Sequence, residues 1–277
     1  ASGDAGGSLG AALAAHHMYL HKPRKFSGKD NMLGSYLGPE FSDETIRKVL
    51  NNIGAKFTEL SYQDLIKKTA KEISMGRAVG WIQGKMEFGP RALGNRSILA
   101  DPRSPSTQSQ LNLKIKYRES FRPFAPSILA EDLSSWFELD SESPYMLSVA
   151  KVKKDKYLEL MEEDKALKGI QKLKIPLTEI PAVTHVDYTS RIQTVHKSTN
   201  PKYYDLIAAF KEITGCPILV NTSFNIRGEP IVCSVEDAFK CFMGTEMDVL
   251  IVGNCILYKG DQKNELKQEY QGSYALD

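Results

Sequence analysis

No apolar run in this chain approaches the roughly 20 residues that a membrane-spanning helix needs. The opening, ASGDAGGSLGAALAAHH, lacks the basic leader of a signal peptide, so the expectation is a cytoplasmic protein with no membrane partner. Charge of one sign is also lacking. Lys and Arg number 36 against 34 Asp and Glu, a net charge of +2, so any anion binding must come from local arrangement rather than from the field of the whole molecule. Cysteine is scarce: Cys216, Cys233, Cys241 and Cys255 form no C-x-x-C pair and sit in apolar segments, which predicts reduced, buried thiols instead of a disulfide framework or a zinc site. The five histidines are too scattered to complete a metal box. There is no G-x-x-x-x-G-K-[ST] loop and no G-x-S-x-G elbow, which argues against a P-loop ATPase and against a histidine-supported nucleophile.

What is present reads as alternating helices and strands, in a chain of 277 residues that suits one large domain or one domain with part of another. In FSDETIRKVLNNIG, Ser42 caps, Asp43 and Glu44 suit the positive helix start, and Ile46, Val49, Leu50 and Ile53 form one apolar face before Gly54. YQDLIKKTAKEISMG repeats the arrangement up to Gly76, and AVGWIQ follows as a buried strand. NPKYYDLIAAFKEITG carries a cap at Asn200, a proline at the first helical position and a stop at Gly215. A short strand, residues 218–220, a capped helix in SVEDAFKCFMG and two strands joined through Gly253-Asn254 complete the pattern. The expected fold class is α/β or α+β with a mixed sheet. Residues 151–175, dense in both charges, read as a solvated helix or surface excursion, and 261–277 as a polar tail. GDAGGSLGAALAAHH reads as a glycine-rich turn entering an alanine-rich helix, either a phosphate-binding loop or a plain flexible start.

The cations gather at the ends of these elements. KMEFGPRALGNRSILADPR leaves a strand and holds Arg91, Arg96 and Arg103; KIKYRESFRPFAPS holds Lys114, Lys116, Arg118 and Arg122. NTSFNIRGEP adds Asn221, Thr222, Ser223, Asn225 and Arg227, and Arg191 opens the strand-like RIQTV. Loops at strand ends are where ligands commonly sit in such sheets. Guanidinium and ammonium groups beside neutral amides and hydroxyls suit a phosphate-bearing ligand with an uncharged portion. Without a nucleophile or paired carboxylates, the chemistry that fits is group transfer on a phosphoanhydride, where catalysis is positioning and charge neutralisation.

The stretches EFGPRALGNRSILADPR, KYRESFRPFAPSIL, SRIQTV and NTSFNIRGEPIV resemble the C-terminal half of nodulation-type O-carbamoyltransferases, the NodU and TobZ kind. Lys116-Tyr117-Arg118 and Ser223-Phe224-Asn225 also look like the K-x-R and S-x-N signatures of YrdC-like domains. The resemblance implies a YrdC-like domain over residues 31–260, a twisted mixed sheet flanked by helices. Residues 1–30 then resemble the end of a preceding sugar-kinase-like domain (ASKHA-type), most of which lies outside this chain. The implied reaction joins carbamoyl phosphate and ATP, with Mg2+, into carbamoyl-adenylate, whose carbamoyl group the preceding domain passes to the hydroxyl of a small-molecule acceptor. Carried over by position, Lys116, Arg122, Arg91 and Ser223 are the implied catalytic set. Arg91, Arg118, Arg191, Asn221, Ser223 and Asn225 are the implied substrate-binding set. Asp4 matches one ligand of an iron site in the preceding domain, so Fe2+ is expected only in the intact enzyme and the adenylation half-reaction only in this chain. Two rivals stay open. A hydrogenase-maturation carbamoyltransferase shares the chemistry but carbamoylates a thiol; a nucleic-acid-binding YrdC-like module would use Tyr117 and Phe121 for stacking, against which the net charge of +2 argues. A homodimer is also left open.

Overall fold

The computed structural model describes residues 4–25, 28, 30–162, 164, 167, 171, 175–267 and 274. Among them, nine strands form one open mixed sheet: β1 (Thr58–Glu59), β2 (Val79–Ile82), β3 (Arg96–Ala100), β4 (Ala125–Leu129), β5 (Ser148–Lys151), β6 (Thr189–Val195), β7 (Ile218–Ser223), β8 (Val249–Val252) and β9 (Cys255–Tyr258). Their order in space is β1-β9-β8-β2-β3-β7-β4-β6-β5. The pairs β2–β8 and β4–β6 run parallel and the remaining neighbours antiparallel. The expected mixed sheet with flanking helices is therefore what forms. β2 and β8 are buried along their whole length, as their unbroken apolar runs require of strands covered on both faces.

The helices are α1 (Asp4–Ala14), α2 (Asp43–Asn52), α3 (Tyr62–Ser74), α4 (Thr107–Lys114), the single turn α5 (Leu133–Trp136), α6 (Pro201–Thr214) and α7 (Val235–Gly244). Their starts are set by local chemistry. Ser42 Oγ accepts from Thr45 N at 3.2 Å and Ser61 Oγ from Asp64 N at 3.2 Å. Asn200 Oδ1 accepts from Tyr203 N at 3.2 Å, with Pro201 following, and Ser234 and Asp237 exchange side-chain and main-chain bonds in a capping box. Helix α6 stops where Gly215 takes φ +75°. The apolar faces of α3 (Leu65, Ile66, Ile73) and α6 (Leu206, Ile207, Phe210) pack together, and α7 lies against α2, β2 and β8.

Some expectations change. The glycine-rich opening is helical from Asp4, with Gly6, Gly7 and Gly10 inside α1, so no phosphate-binding turn forms among its described residues. The Asp4 side chain, an implied metal ligand, lies outside the described residues. The charged stretch after β5 leaves as a surface excursion, with a 3-10 turn at Lys154–Lys156 and a bridge from Tyr157 to Thr178; much of 163–174 lies outside the described residues. The polar tail is tied at its start, where Gln262 exchanges hydrogen bonds with the main chain of Lys56 at 2.9 and 2.8 Å. All four thiols are free; Cys216, Cys241 and Cys255 are buried and Cys233 is half-buried. Among the described residues no helix is long and apolar enough to cross a membrane.

Candidate functional site

Side chains on a strand alternate between faces, so residues two apart share one. On β7, Asn221 and Ser223 share a face and Thr222 points the opposite way, which removes Thr222 from the set that sequence reasoning assembled there. Asn221 pairs with Ala125 on β4 and Ser127 pairs with Gln193 on β6. Arg191, two residues before Gln193, therefore stands on the same face, two strands from Asn221, roughly 10 Å at ordinary strand spacing. The residue between them, Ala125, has only a methyl group.

The segment 91–96 is laid over this face by directed hydrogen bonds. Asn221 Nδ2 donates to Ala92 O at 3.1 Å and to Gln193 Oε1 at 2.8 Å; Gln193 Nε2 donates to Leu93 O at 2.8 Å, and Ser127 Oγ donates to Gln193 Oε1 at 2.5 Å. On the far side of the loop, Glu87 Oε1 accepts from the amides of Leu93, Asn95 and Arg96 at 2.6, 2.7 and 3.2 Å. Burial pushes the Glu87 carboxyl up, against the pull of those three donors. Gly94 adopts φ +107°, and a Cβ there would run into the Tyr203 ring, so the loop approaches α6 only as glycine.

The three arginines of this stretch have different fates. Arg96 is fully buried and its guanidinium donates to the carbonyl oxygens of Gln83, Gly84, Asn95, Pro39 and Cys233 at 2.9–3.2 Å. It is a structural clamp, and the expectation that it offers a charge to a ligand fails because five protein carbonyls take its donors. Arg103 pairs with Asp101 at 2.6 Å. Arg91 is exposed, beside Arg191, and has no ion pair among the described residues. Burial and the neighbouring Arg91 charge together hold Arg191 below its ordinary value, and among the described residues no carboxylate pairs with either. Two like charges facing one another with no counter-ion create a local positive potential that an anion relieves.

The second grouping forms where β7 ends. Lys116, only 3% exposed, reaches it from the loop after α4. Its Nζ donates to Ser223 O, to Ser223 Oγ at 3.2 Å, to Asn225 O at 3.0 Å and to Asn225 Oδ1 at 2.8 Å. Four oxygens around three protons suit an ammonium, while burial, with the Arg118 charge in support, pushes the amine down to about 7. Those two influences oppose each other, so the charge of Lys116 is poised near neutrality. Burial and the neighbouring Arg122 charge bring Arg118 down to about 10; its Nε donates to Asn112 Oδ1 at 2.6 Å and its guanidinium lies 5.1 Å from the Phe124 ring centre. Arg122 turns to Glu119, Nε to Oε2 at 2.9 Å, and Arg227 sits on the other carboxylate oxygen at 3.4 Å, so part of that charge is neutralised within the protein. Lys114 is occupied by Glu246 at 3.2 Å.

Lys116, Ser223 and Asn225 are thus in direct contact, Arg91 and Arg191 are neighbours, and Asn221 stands between the groupings on the strand that carries Ser223. Asn221 Oδ1 is buried without a hydrogen-bond partner among the described residues, so this end of the amide still lacks a donor. The described cavities are lined by other residues; one of about 540 Å³ lies by Asn95, Asn200 and Lys202. Sequence reasoning missed Gln193, Ser127, Glu87, Asn112 and Glu229, all buried and polar. For Gln193 and Ser127 the available signal was a polar residue at an inward position of an otherwise apolar strand.

Residues 70–259 match the family model described as Carbamoyltransferase C-terminus. An uncharacterised protein of Synechocystis is 54% identical over 280 residues, covering 100% of this chain and 46% of its own length. The nodulation protein NolO of Bradyrhizobium diazoefficiens is 41% identical over 263 residues, 94% of this chain and 44% of that protein. A 3'-hydroxymethylcephem-O-carbamoyltransferase of Amycolatopsis lactamdurans is 38% identical over 179 residues, 65% of this chain and 30% of the relative. The chain spans less than half the length of these curated relatives.

Proposed function

The chain belongs to the carbamoyltransferase C-terminal family, and on that premise we propose that it binds carbamoyl phosphate together with ATP and joins them into carbamoyl-adenylate. The observation that carries this reading is the pair of cationic groupings, Lys116 with Arg118 and Arg91 with Arg191, none of the four in an ion pair with a carboxylate among the described residues, with neutral Ser223 on Lys116 and Asn221 between the groupings. A ligand with anionic groups at two places and an uncharged carbamoyl between them matches that distribution.

In the reaction, carbamoyl phosphate and one water give inorganic phosphate and carbamate. A carbamate oxygen then bonds to the α-phosphorus of ATP as the bond from that phosphorus to the bridging oxygen breaks, releasing pyrophosphate. The residues act by holding charge rather than by forming bonds. Lys116 and Arg122 neutralise phosphate oxygens; Arg91 and Arg191 clamp the carbamoyl phosphate or the leaving phosphate; Arg118 and Asn225 hold the adenylate; Asn221 Oδ1 accepts from the carbamoyl amino group and Ser223 contacts its neutral oxygen. Such preorganised donors stabilise developing negative charge without rearrangement during the step. An arriving phosphate replaces protein oxygens around Lys116 and favours its ammonium form, so binding takes up a proton near neutral pH.

Mg2+ enters as the companion of ATP. Among the described residues no three His, Cys, Asp or Glu side chains gather as metal ligands, and no step here runs through iron. Transfer to an acceptor hydroxyl belongs to the longer protein, in keeping with a relative named for O-carbamoylation of a hydroxymethyl group. The test is to mix the chain with ATP, Mg2+ and carbamoyl phosphate and follow pyrophosphate, with bicarbonate plus threonine as the control. Pyrophosphate that depends on carbamoyl phosphate is expected. No release under any mixture refutes the half-reaction in this chain, and measured carbamoylation of an acceptor by this chain alone refutes the division of labour.

A further inference from the structure

Beside Arg122 the surface folds into a slot of about 180 Å³, well under the roughly 300–1,000 Å³ of a site that encloses a whole small molecule. It has room for one flat ring system with the rest of the ligand outside. Phe121 and Pro123, which flank Arg122 in the chain, form part of its wall, and Pro176 and Val186 of the long connection between β5 and β6 form another part. Proline rings fix their own backbone, so these walls keep their spacing. Among the described residues no charged side chain lines the slot. The Thr184 hydroxyl at its edge is engaged with the Thr178 hydroxyl and Ile180 O. Burial, with the Arg191 charge in support, holds His185 below its ordinary value against the pull of Asp187, so that imidazole is neutral at pH 7. An uncharged slot thus adjoins the cations of the candidate site.

We infer that this slot receives the base of the nucleotide and that Gln108 makes it select a 6-aminopurine, an inference that rests on the proposed binding of ATP. Gln108, on α4, lines the slot, and its amide has one orientation available. Nε2 donates to Phe121 O at 3.2 Å and to Arg122 O at 3.1 Å, which leaves Oε1, without a partner among the described residues, as the atom open to a ligand. Adenine presents an N–H donor at its 6-position, whereas a 6-oxopurine presents a second acceptor there and repels that oxygen. Stacking on Phe121 favours any base, because every base has a π-face, so the choice falls to Gln108.

The test is calorimetry without turnover, with ATP and with ITP, each as its Mg2+ complex and without carbamoyl phosphate; ITP carries a carbonyl in place of the 6-amino group. The wild type is expected to bind ATP about tenfold or more tightly than ITP. Gln108→Leu should bring the two affinities to within about twofold of each other. The loop keeps an anchor in that variant, since Asn112 Nδ2 also holds Arg122 O at 2.8 Å. A Gln108 that only braced the loop would weaken both nucleotides alike, so an unchanged ATP-to-ITP ratio overturns the inference. Val186→Trp is the second variant: Val186 is 51% exposed, so a larger side chain is accommodated in the fold and fills the slot. It should weaken ATP about tenfold or more, and wild-type affinity there overturns the assignment of the slot. Binding of neither nucleotide by the wild type refutes this inference and the proposed function together. ATP binding that depends on Gln108 and Val186 in a chain that releases no pyrophosphate supports the inference and refutes the proposed reaction alone.

Discussion

Replacing Lys116 with methionine separates what the buried amine costs the fold from what it contributes to binding. An ordinary lysine titrates at 10.5; burial brings this one to about 7, a gap worth about 5 kcal/mol between its charged and neutral forms. The sign follows from proton counting. Below pH 7 the lysine is protonated in both folded and unfolded chains and the full penalty of burying an ammonium applies. Between pH 7 and 10.5 the unfolded chain holds the proton that the folded chain has released, so the wild type gains stability as pH rises through that window, by up to about 1.4 kcal/mol per pH unit. Lys116→Met has no such group. Its unfolding free energy measured in urea from pH 6.5 to 9.5, minus that of the wild type, should fall with pH, and titrating groups remote from Lys116 cancel in the difference. The oxygens of Ser223 and Asn225 that lose their donor add a constant offset of about 1–3 kcal/mol each where they stay dry, which does not tilt the curve. Parallel stability curves for the two proteins would refute the burial argument, because they would mean that Lys116 keeps its ordinary proton affinity in the folded chain.

The remaining expectations concern neighbouring residues. Lys116→Ala should slow carbamoyl-phosphate-dependent pyrophosphate release at least tenfold, since a charge-assisted contact contributes roughly 1.5–3 kcal/mol; an undiminished rate removes Lys116 from the site. Arg191→Gln should leave the urea midpoint within experimental error or raise it, because it relieves repulsion from Arg91, while calorimetry shows carbamoyl phosphate binding weakened about tenfold or more. Gln193→Leu strands the Ser127 hydroxyl, while Asn221 Nδ2 keeps Ala92 O and Leu93 O keeps the Tyr36 hydroxyl, and should cost about 1–3 kcal/mol in urea unfolding. Glu87→Ala should be more damaging, about 3–5 kcal/mol, since it strips the shared acceptor from three buried amide donors and removes one carboxyl that favours the buried Arg96 charge; a thermal melt indistinguishable from wild type would contradict that account.

Several parts of this molecule were legible before any coordinates. Helices starting at Ser42, Ser61, Asn200 and Ser234 are declared by a capping side chain within three residues of the amide it satisfies, and α6 ends at a glycine whose positive φ other residues resist. Strands β2, β7, β8 and β9 are short apolar runs bounded by turn residues. The long stretches around Arg91, Lys116 and Asn221 were specific enough for the family likeness to be read from them. The opening glycines misled, because an alanine-rich continuation and a tolerable glycine cost of about 1 kcal/mol each let the helix begin at Asp4.

The amino-acid order by itself determined where helices and strands begin and end, because those signals act over three or four residues. Only the tertiary structure decided which cations are available to a ligand. Arg91 and Arg96 look alike in GPRALGNR, yet one is exposed beside Arg191 and the other is enclosed by carbonyls from five residues, four of them outside that stretch. Strand order had to be known before Asn221, Gln193 and Arg191 could be placed on one face, since β7, β4 and β6 are neighbours in space and far apart in the chain. Whether a charge binds a ligand or braces the fold depends on partners that sequence proximity does not supply.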